Sequence, residues 1–209
     1  MRARNCAWCL SLHMESLDRF NNAVSAFDLL NAQDPNHWTV DGEAVPYELF
    51  FANRMTEWVF QLDSDASEAV RLAARCQHLC RWEIPRKDYP EGRVGYLTWR
   101  KDLKRFHADK SAEVLKKIGY DDSTIERVRA INLKKDLGKD PEVQVIEDAL
   151  CLVFLENQFD DLIAKTDEEK MISIVKKTWA KMSDTAREKA LKLTLSEGGS
   201  CLVSKALAG

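Results

Sequence analysis

The sequence predicts an all-α protein, a bundle of six to eight helices. Three observations carry this. Apolar residues recur at helical spacing along the chain. No segment shows clean strand alternation. Proline, glycine and capping residues punctuate the chain at helix-like intervals.

Leu17, Phe20, Val24, Phe27 and Leu30 share one face of a first helix. Asp34-Pro35-Asn36 breaks it, and Asp41-Gly42 makes a turn. Pro46 suits the first turn of a second helix that runs to about Leu62. Ser67 caps a third helix, with Glu68 in its first turn, and the pattern carries through Gln77 and His78 to Arg81. A long connection from Glu83 to Gly95 holds Pro85, Pro90 and Gly92. Connections of this length are often functional. A fourth helix spans about Tyr96 to Ile118 and stops at Gly119. Ser123 and Glu126 form a capping box for a fifth, which Lys134-Lys135 ends before Gly138. Asp140-Pro141 opens a sixth that reaches about Ala164. Two more polar helices follow, near Asp167–Met182 and Asp184–Leu195, and a frayed tail holds Gly198-Gly199.

With 209 residues, this organisation implies an N-terminal extension (1–14), a helical core (15–165) and a C-terminal helical appendage with its tail (166–209). Hydrophobic residues make up 45% and charged residues 31%, which supports a packed core and excludes a disordered chain. The longest apolar run, Ala149 to Leu155, is flanked by Asp148 and Glu156 and falls short of the roughly 18 residues a membrane helix needs. No membrane partner is expected. Arg2 and Arg4 precede no long apolar stretch, so the N-terminus does not read as a signal peptide. Of six cysteines, only Cys6 and Cys9 form a close pair, without two further zinc ligands at matching spacing. Reduced thiols are expected, in the cytoplasm or another reducing intracellular compartment.

Net charge is −3, but it is unevenly spread. Residues 71–110 carry eleven Lys/Arg against five acids, a local +6 that leaves −9 for the rest. A basic island in an acidic protein points to a small anionic ligand. Within it Arg81, Trp82, Arg86, Tyr89, Trp99, Arg100 and His107 interleave guanidinium, ring and imidazole. Arginine offers a planar fork to phosphate or carboxylate, and rings wall a site or stack on a base. Arg100 and His107 share a helix face, and antiparallel packing across the 83–95 connection would bring His78 to His107. Glu48, Glu147 and Asp148 adjoin strongly apolar runs, and a buried carboxylate needs a partner. Lys134 is a further anion contact or a charge favoured at a helix C-terminus. The phosphate-loop, dinucleotide, nucleophile-elbow and H-E-x-x-H signatures are absent.

Three runs carry a family resemblance: DLLNAQDPN…DG…PYELFFANRMTEW, LAARCQHLCRWEIPRKDYPEGRVGYLTWRKDLKRFHA and EDALCLVFLENQFDD. Over roughly Phe20 to Asp161 they closely resemble domain of unknown function 4202, whose name leaves the activity open. A weaker resemblance is to the HD superfamily of metal-dependent phosphohydrolases. It implies an HD-like bundle of about six core helices plus one or two C-terminal helices. In that comparison Leu72 to His78 resembles the helix carrying the His-Asp pair, and Asp148 the late aspartate. The pair is broken, because Leu79 follows His78, and Glu48 stands at the early histidine position. The resemblance thus implies His78, His107, Glu48 and Asp148 as catalytic groups or as ligands of a divalent metal. Arg81, Arg86, Arg100, Trp82, Tyr89 and Lys134 are the candidate ligand contacts.

Three readings follow. One is a hydrolase or transferase acting on a phosphate ester or nucleotide-like substrate. The second is a non-catalytic nucleotide- or RNA-binding module. The third is a structural or interaction protein. The oligomeric state is not encoded in any of these signals.

Overall fold

A computed structural model describes residues 7–208, with side chains from residue 16 onward. Among the described residues it is all-α, with ten α-helices and one two-stranded hairpin. None of these helices is long and apolar enough to cross a membrane. Cys76, Cys80, Cys151 and Cys201 are free thiols. The Cys6–Cys9 pair and the extension expected over 1–14 lie outside the residues whose side chains are described.

The chain forms two compact units, Met1–Asn53 with Ser67–Leu133, and Arg54–Ala66 with Lys134–Gly209. In the first unit α1 (Ala7–Asn31) packs on α3 (Glu68–Cys76) and α4 (Gly92–Ile118), and α5 (Asp122–Asn132) packs on α3 and α4. Phe27, Val70, Leu72, Leu79, Leu115, Val128 and Ile131 are fully buried there. Arg75 clamps Asp28 through two parallel bonds of 2.5 and 2.6 Å, tying α3 to α1.

The Asp41-Gly42 turn joins β1 (His37–Val40) to β2 (Glu43–Pro46), antiparallel with His37 opposite Pro46. Both turn residues have positive φ, 50° and 86°, as two-residue hairpins prefer. The turn is legible in the sequence and the strands are not, since four residues each are too few for alternation to register. The hairpin leads into α2 (Tyr47–Leu62), and Trp38 stacks on Phe50 at 5.6 Å. Asp34, at the break after α1, is nearly fully buried. Its Oδ2 accepts the Glu48 backbone N–H at 3.0 Å, so it caps α2 from fourteen residues away.

The third helix stops earlier than expected. It ends at Cys76, not Arg81, because the next groups find tertiary partners. The Cys80 N–H donates to Asn31 Oδ1 at 3.3 Å, and the Leu79 carbonyl accepts from His107 Nδ1 at 3.0 Å. Cys80 sits at φ 54°, in the left-handed region. Two short 3-10 turns follow, Arg81–Glu83 and Arg86–Asp88, so the connection is ordered by its own hydrogen bonds. The fourth helix begins at Gly92, a turn before the expected Tyr96. The cap of α5 is Asp121, accepting from Thr124 N–H at 2.9 Å; the Ser123 hydroxyl donates to the same carboxylate.

In the second unit α6 (Pro141–Val153) continues through a π-helical turn, Phe154–Gln158, into α7 (Phe159–Ile163). The expected single helix to Ala164 is therefore interrupted. Next come α8 (Glu168–Trp179), α9 (Asp184–Ala190) and α10 (Glu197–Leu207). α6 packs on α9, and α10 on α7 and α8. The tail expected to fray is helical. Ser196 caps it, accepting from Gly199 N–H at 3.0 Å and donating to Asp160 at 2.6 Å, while Leu202, Val203 and Ala206 are buried.

Gly95 shows how tightly the connection is held. A β-carbon there would lie 1.9 Å from the Pro90 carbonyl oxygen, a backbone atom that cannot swing aside. Gly95→Ala is expected to destabilise the protein by roughly 1–3 kcal/mol, the usual cost of overpacking. Urea denaturation measures it; an unchanged midpoint would show that the 83–91 segment yields freely.

Candidate functional site

Glu48 is set in the first turn of α2, with its backbone held by Asp34, and its carboxyl is 3% exposed. Phe51, one turn on, lies on the same face. Its ring stacks on the His78 imidazole at 4.0 Å. His78 Nδ1 is 3.5 Å from Glu48 Oε2, and the His78 and His107 rings are 5.7 Å apart. The approach of the two histidines arises across the turn after Cys76, not from two full antiparallel helices.

Arg81 completes the cluster. Its guanidinium lies over the Trp99 ring, 5.0 Å from the centroid, a cation–π contact that anchors the group without consuming its donors. Its Nε comes no closer than 3.8 Å to Glu48 Oε1, beyond hydrogen-bond length. The side chain is still 30% exposed. Trp99 in turn donates from its indole nitrogen to the Ile84 carbonyl at 2.9 Å, which fixes the platform.

The electrostatics follow from burial. Removing the Glu48 carboxyl from water pushes it up to about 8; the Arg81 guanidinium pulls the other way and Asp34 adds to the rise. Burial pushes His107 down to about 3; its bond to Leu79 opposes this, and the positive charges of Arg81 and Lys110 add to it. Burial also lowers Arg81, against Glu48 and together with Arg100. At neutral pH, therefore, a carboxylic acid and a neutral imidazole lie beside a cation. Because the Leu79 carbonyl can only accept, His107 carries its proton on Nδ1. Nε2 then presents a lone pair. Both His107 Nε2 and Glu48 Oε2 are buried atoms without a hydrogen-bond partner. Such groups are costly inside a protein unless something else satisfies them.

The other candidates have other employment. Arg86 Nη1 donates to the Tyr89 carbonyl at 2.9 Å, closing the second 3-10 turn. Tyr89 donates its hydroxyl to Asp102 at 3.3 Å. Trp82 is half-buried in the turn beside Arg81. Arg100 is exposed and meets the Tyr96 hydroxyl at 3.5 Å. Asp148 belongs to the second unit, and its carboxylate is spent there. It accepts the Ser183 N–H at 2.9 Å, the Ser183 hydroxyl at 2.6 Å and the Gln144 amide at 2.9 Å. Lys134, left-handed at φ 54°, pairs with Glu147 in that same unit, and Lys181 approaches Glu147 at 3.4 Å. Burial works to raise Glu147, and the two ammonium groups outweigh it and hold it below the usual carboxylate range. Asp148 and Lys134 therefore make structural ties within the second unit.

Phe51 is legible in the sequence through its spacing from Glu48. Asp34, whose carboxylate accepts a distant backbone N–H, and Leu79, which acts through its carbonyl, are announced by no residue pattern.

A family model described as "Domain of unknown function (DUF4202)" matches residues 21–203. The chain belongs to this family. No curated protein and no solved structure matches it. Among the described residues of this DUF4202 protein, no group of three or more His, Cys, Asp or Glu side chains is placed to hold a metal ion. Glu48 and His78 approach each other, but Asp148 is spent elsewhere and Leu79 offers only its carbonyl. Among the described residues these side chains form no assembled set of metal ligands.

The Glu48 shift has a testable sign. Its folded pKa lies above its ordinary value of 4.5. Stability from this group is full below about pH 4.5 and falls as pH rises towards 8, where ionisation must occur in a buried site. Glu48→Gln imitates the protonated acid. Relative to wild type it should gain stability between pH 5 and 8.5, by roughly 3–5 kcal/mol at most. Denaturation curves at the two pH values test this, and parallel behaviour of the two proteins would refute a buried neutral acid.

Proposed function

We propose that this protein binds a small anion at Arg81 and acts on it as a hydrolase or transferase of phosphate esters or nucleotide-like compounds. The observation that carries the reading is the state of Arg81. It is a half-buried guanidinium, oriented on Trp99, with no carboxylate inside hydrogen-bond distance. A desolvated cation with open donors is a site for an anion, and the fork suits phosphate oxygens. The neighbours support this, because a protonated Glu48 and a neutral His107 do not repel a negative ligand.

The same groups supply acid–base chemistry. An attacking hydroxyl or water gives its proton to His107 Nε2 as the new P–O bond forms. The ester P–O bond breaks, and the leaving oxygen takes the Glu48 proton. His107 alone is a weak base here, but as Glu48 becomes a carboxylate it stabilises the imidazolium forming nearby. His78, between them, offers the route by which the proton returns. Arg81 stabilises charge on the transferring group throughout.

A binding role without turnover draws on one further observation. Tyr96, 43% exposed beside Arg100, presents a ring on which a base would stack.

Two measurements separate these. Inorganic phosphate at a hundredfold excess over its Kd should stabilise wild type by about 2.7 kcal/mol, and Arg81→Gln should lose that effect. Among phosphate-ester substrates, Glu48→Gln should lower turnover about 10²–10⁴-fold while leaving the phosphate effect in place. A phosphate effect retained in Arg81→Gln would overturn the site. Equal turnover in both proteins would leave only the binding role.

A further inference from the structure

Resting on the anion reading above, we propose that the bound group is a terminal phosphoryl dianion, as in a phosphate monoester, and not the monoanion of a phosphate diester or a carboxylate. The basis is a second guanidinium, Arg100, joined to the first through Trp99 and Tyr96 and without an ion pair of its own among the described residues.

Arg81, Trp99, Tyr96 and Arg100 form a continuous chain of contacts. Arg81 lies over Trp99, whose ring is 5.9 Å from that of Tyr96, and Arg100 Nη1 is 3.5 Å from the Tyr96 hydroxyl. Arg100 is close enough to Arg81 to make its charge harder to hold. Among the described residues Arg100 has no ion pair, and Arg81 has only the 3.8 Å approach to Glu48. The other charges acting on Glu48 and His107 are already engaged. Asp34, behind Glu48, accepts from the backbone N–H groups of Glu48 and Asn36 and from the Asn36 amide. Lys110, towards His107, is paired with Glu83. The other groups acting on Arg81 are the phenols Tyr47 and Tyr96.

Among the described residues, Arg81 thus approaches one carboxyl group, which burial holds largely protonated, and Arg100 approaches none. A monoanion would leave one guanidinium uncompensated, while a dianion neutralises both. The oxygen count agrees. A terminal phosphoryl group has three non-bridging oxygens. Two of these can meet the Arg81 fork and the third Arg100, while the Glu48 hydroxyl faces the leaving oxygen; a diester has only two.

The test uses the full chain at pH 7.5, titrated with methyl phosphate, mostly a dianion there, and with dimethyl phosphate, a monoanion. Calorimetry gives both affinities. Methyl phosphate should bind at least about tenfold more tightly, the scale of one further charge interaction at a partly buried site. Arg100→Gln, at an exposed position that the fold does not need, should bring the two affinities together. Arg81→Gln should lose both. Equal affinities in wild type, or a ratio unchanged in Arg100→Gln, overturn the dianion inference while leaving the anion site in place. Failure of both compounds to bind overturns the anion reading and this inference together.

Discussion

The carbonyl of Leu79 accepts a hydrogen bond from His107 Nδ1, and much of the first unit's chemistry depends on that contact. It satisfies a backbone group left over where α3 ends, and so helps the chain to leave the helix at Cys76. Leaving there swings His78 and Arg81 off the helix and towards α2. The same bond fixes the His107 tautomer and turns its second nitrogen, as an acceptor, into the cluster. Asn31, taking the Cys80 N–H, holds the left-handed residue that completes the turn. A conformation costing about 1–2 kcal/mol persists because both neighbours demand it.

Burial then sets the character of each group. Glu48 is brought out of water by the first turn of α2, and its helix start is capped by Asp34, so its position is rigid. The nearest cation, Arg81, stops short of hydrogen bonding and leaves the acid mostly protonated. Buried acids normally pair with a base or lose their charge, and this one does the second. Contrast Glu147, equally buried, which two lysines keep ionised. The difference lies in the partner: a lysine in contact satisfies Glu147, while the guanidinium beside Glu48 is stacked on a ring and stays 3.8 Å away. That contrast separates a structural ion pair from an unsatisfied buried acid more clearly than composition does.

The two units divide these roles. The first holds the cluster of orphaned polar atoms. In the second, Asp148 and Glu147 are fully used in joining α6 to its neighbours, and the tail forms a capped helix. A π-helical turn interrupts the α6–α7 path, a feature that apolar periodicity cannot reveal because a π turn inserts one residue without changing residue types.

Helix content, most helix starts and the family were legible in the sequence, because apolar spacing, proline and capping residues act locally. So was the grouping of His78, Arg81, Arg100 and His107 in one basic and aromatic stretch. What the sequence alone determined stops there. Only the tertiary structure decided that α3 ends at Cys76, that Arg86, Lys134 and Asp148 are internal ties, and that Arg81 is left open. The physical reason is that a charged side chain's role depends on whether its partner lies within about 3 Å or 4 Å in space. That distance is set by backbone hydrogen bonds such as those to Leu79 and Cys80, made by residues far apart in the chain.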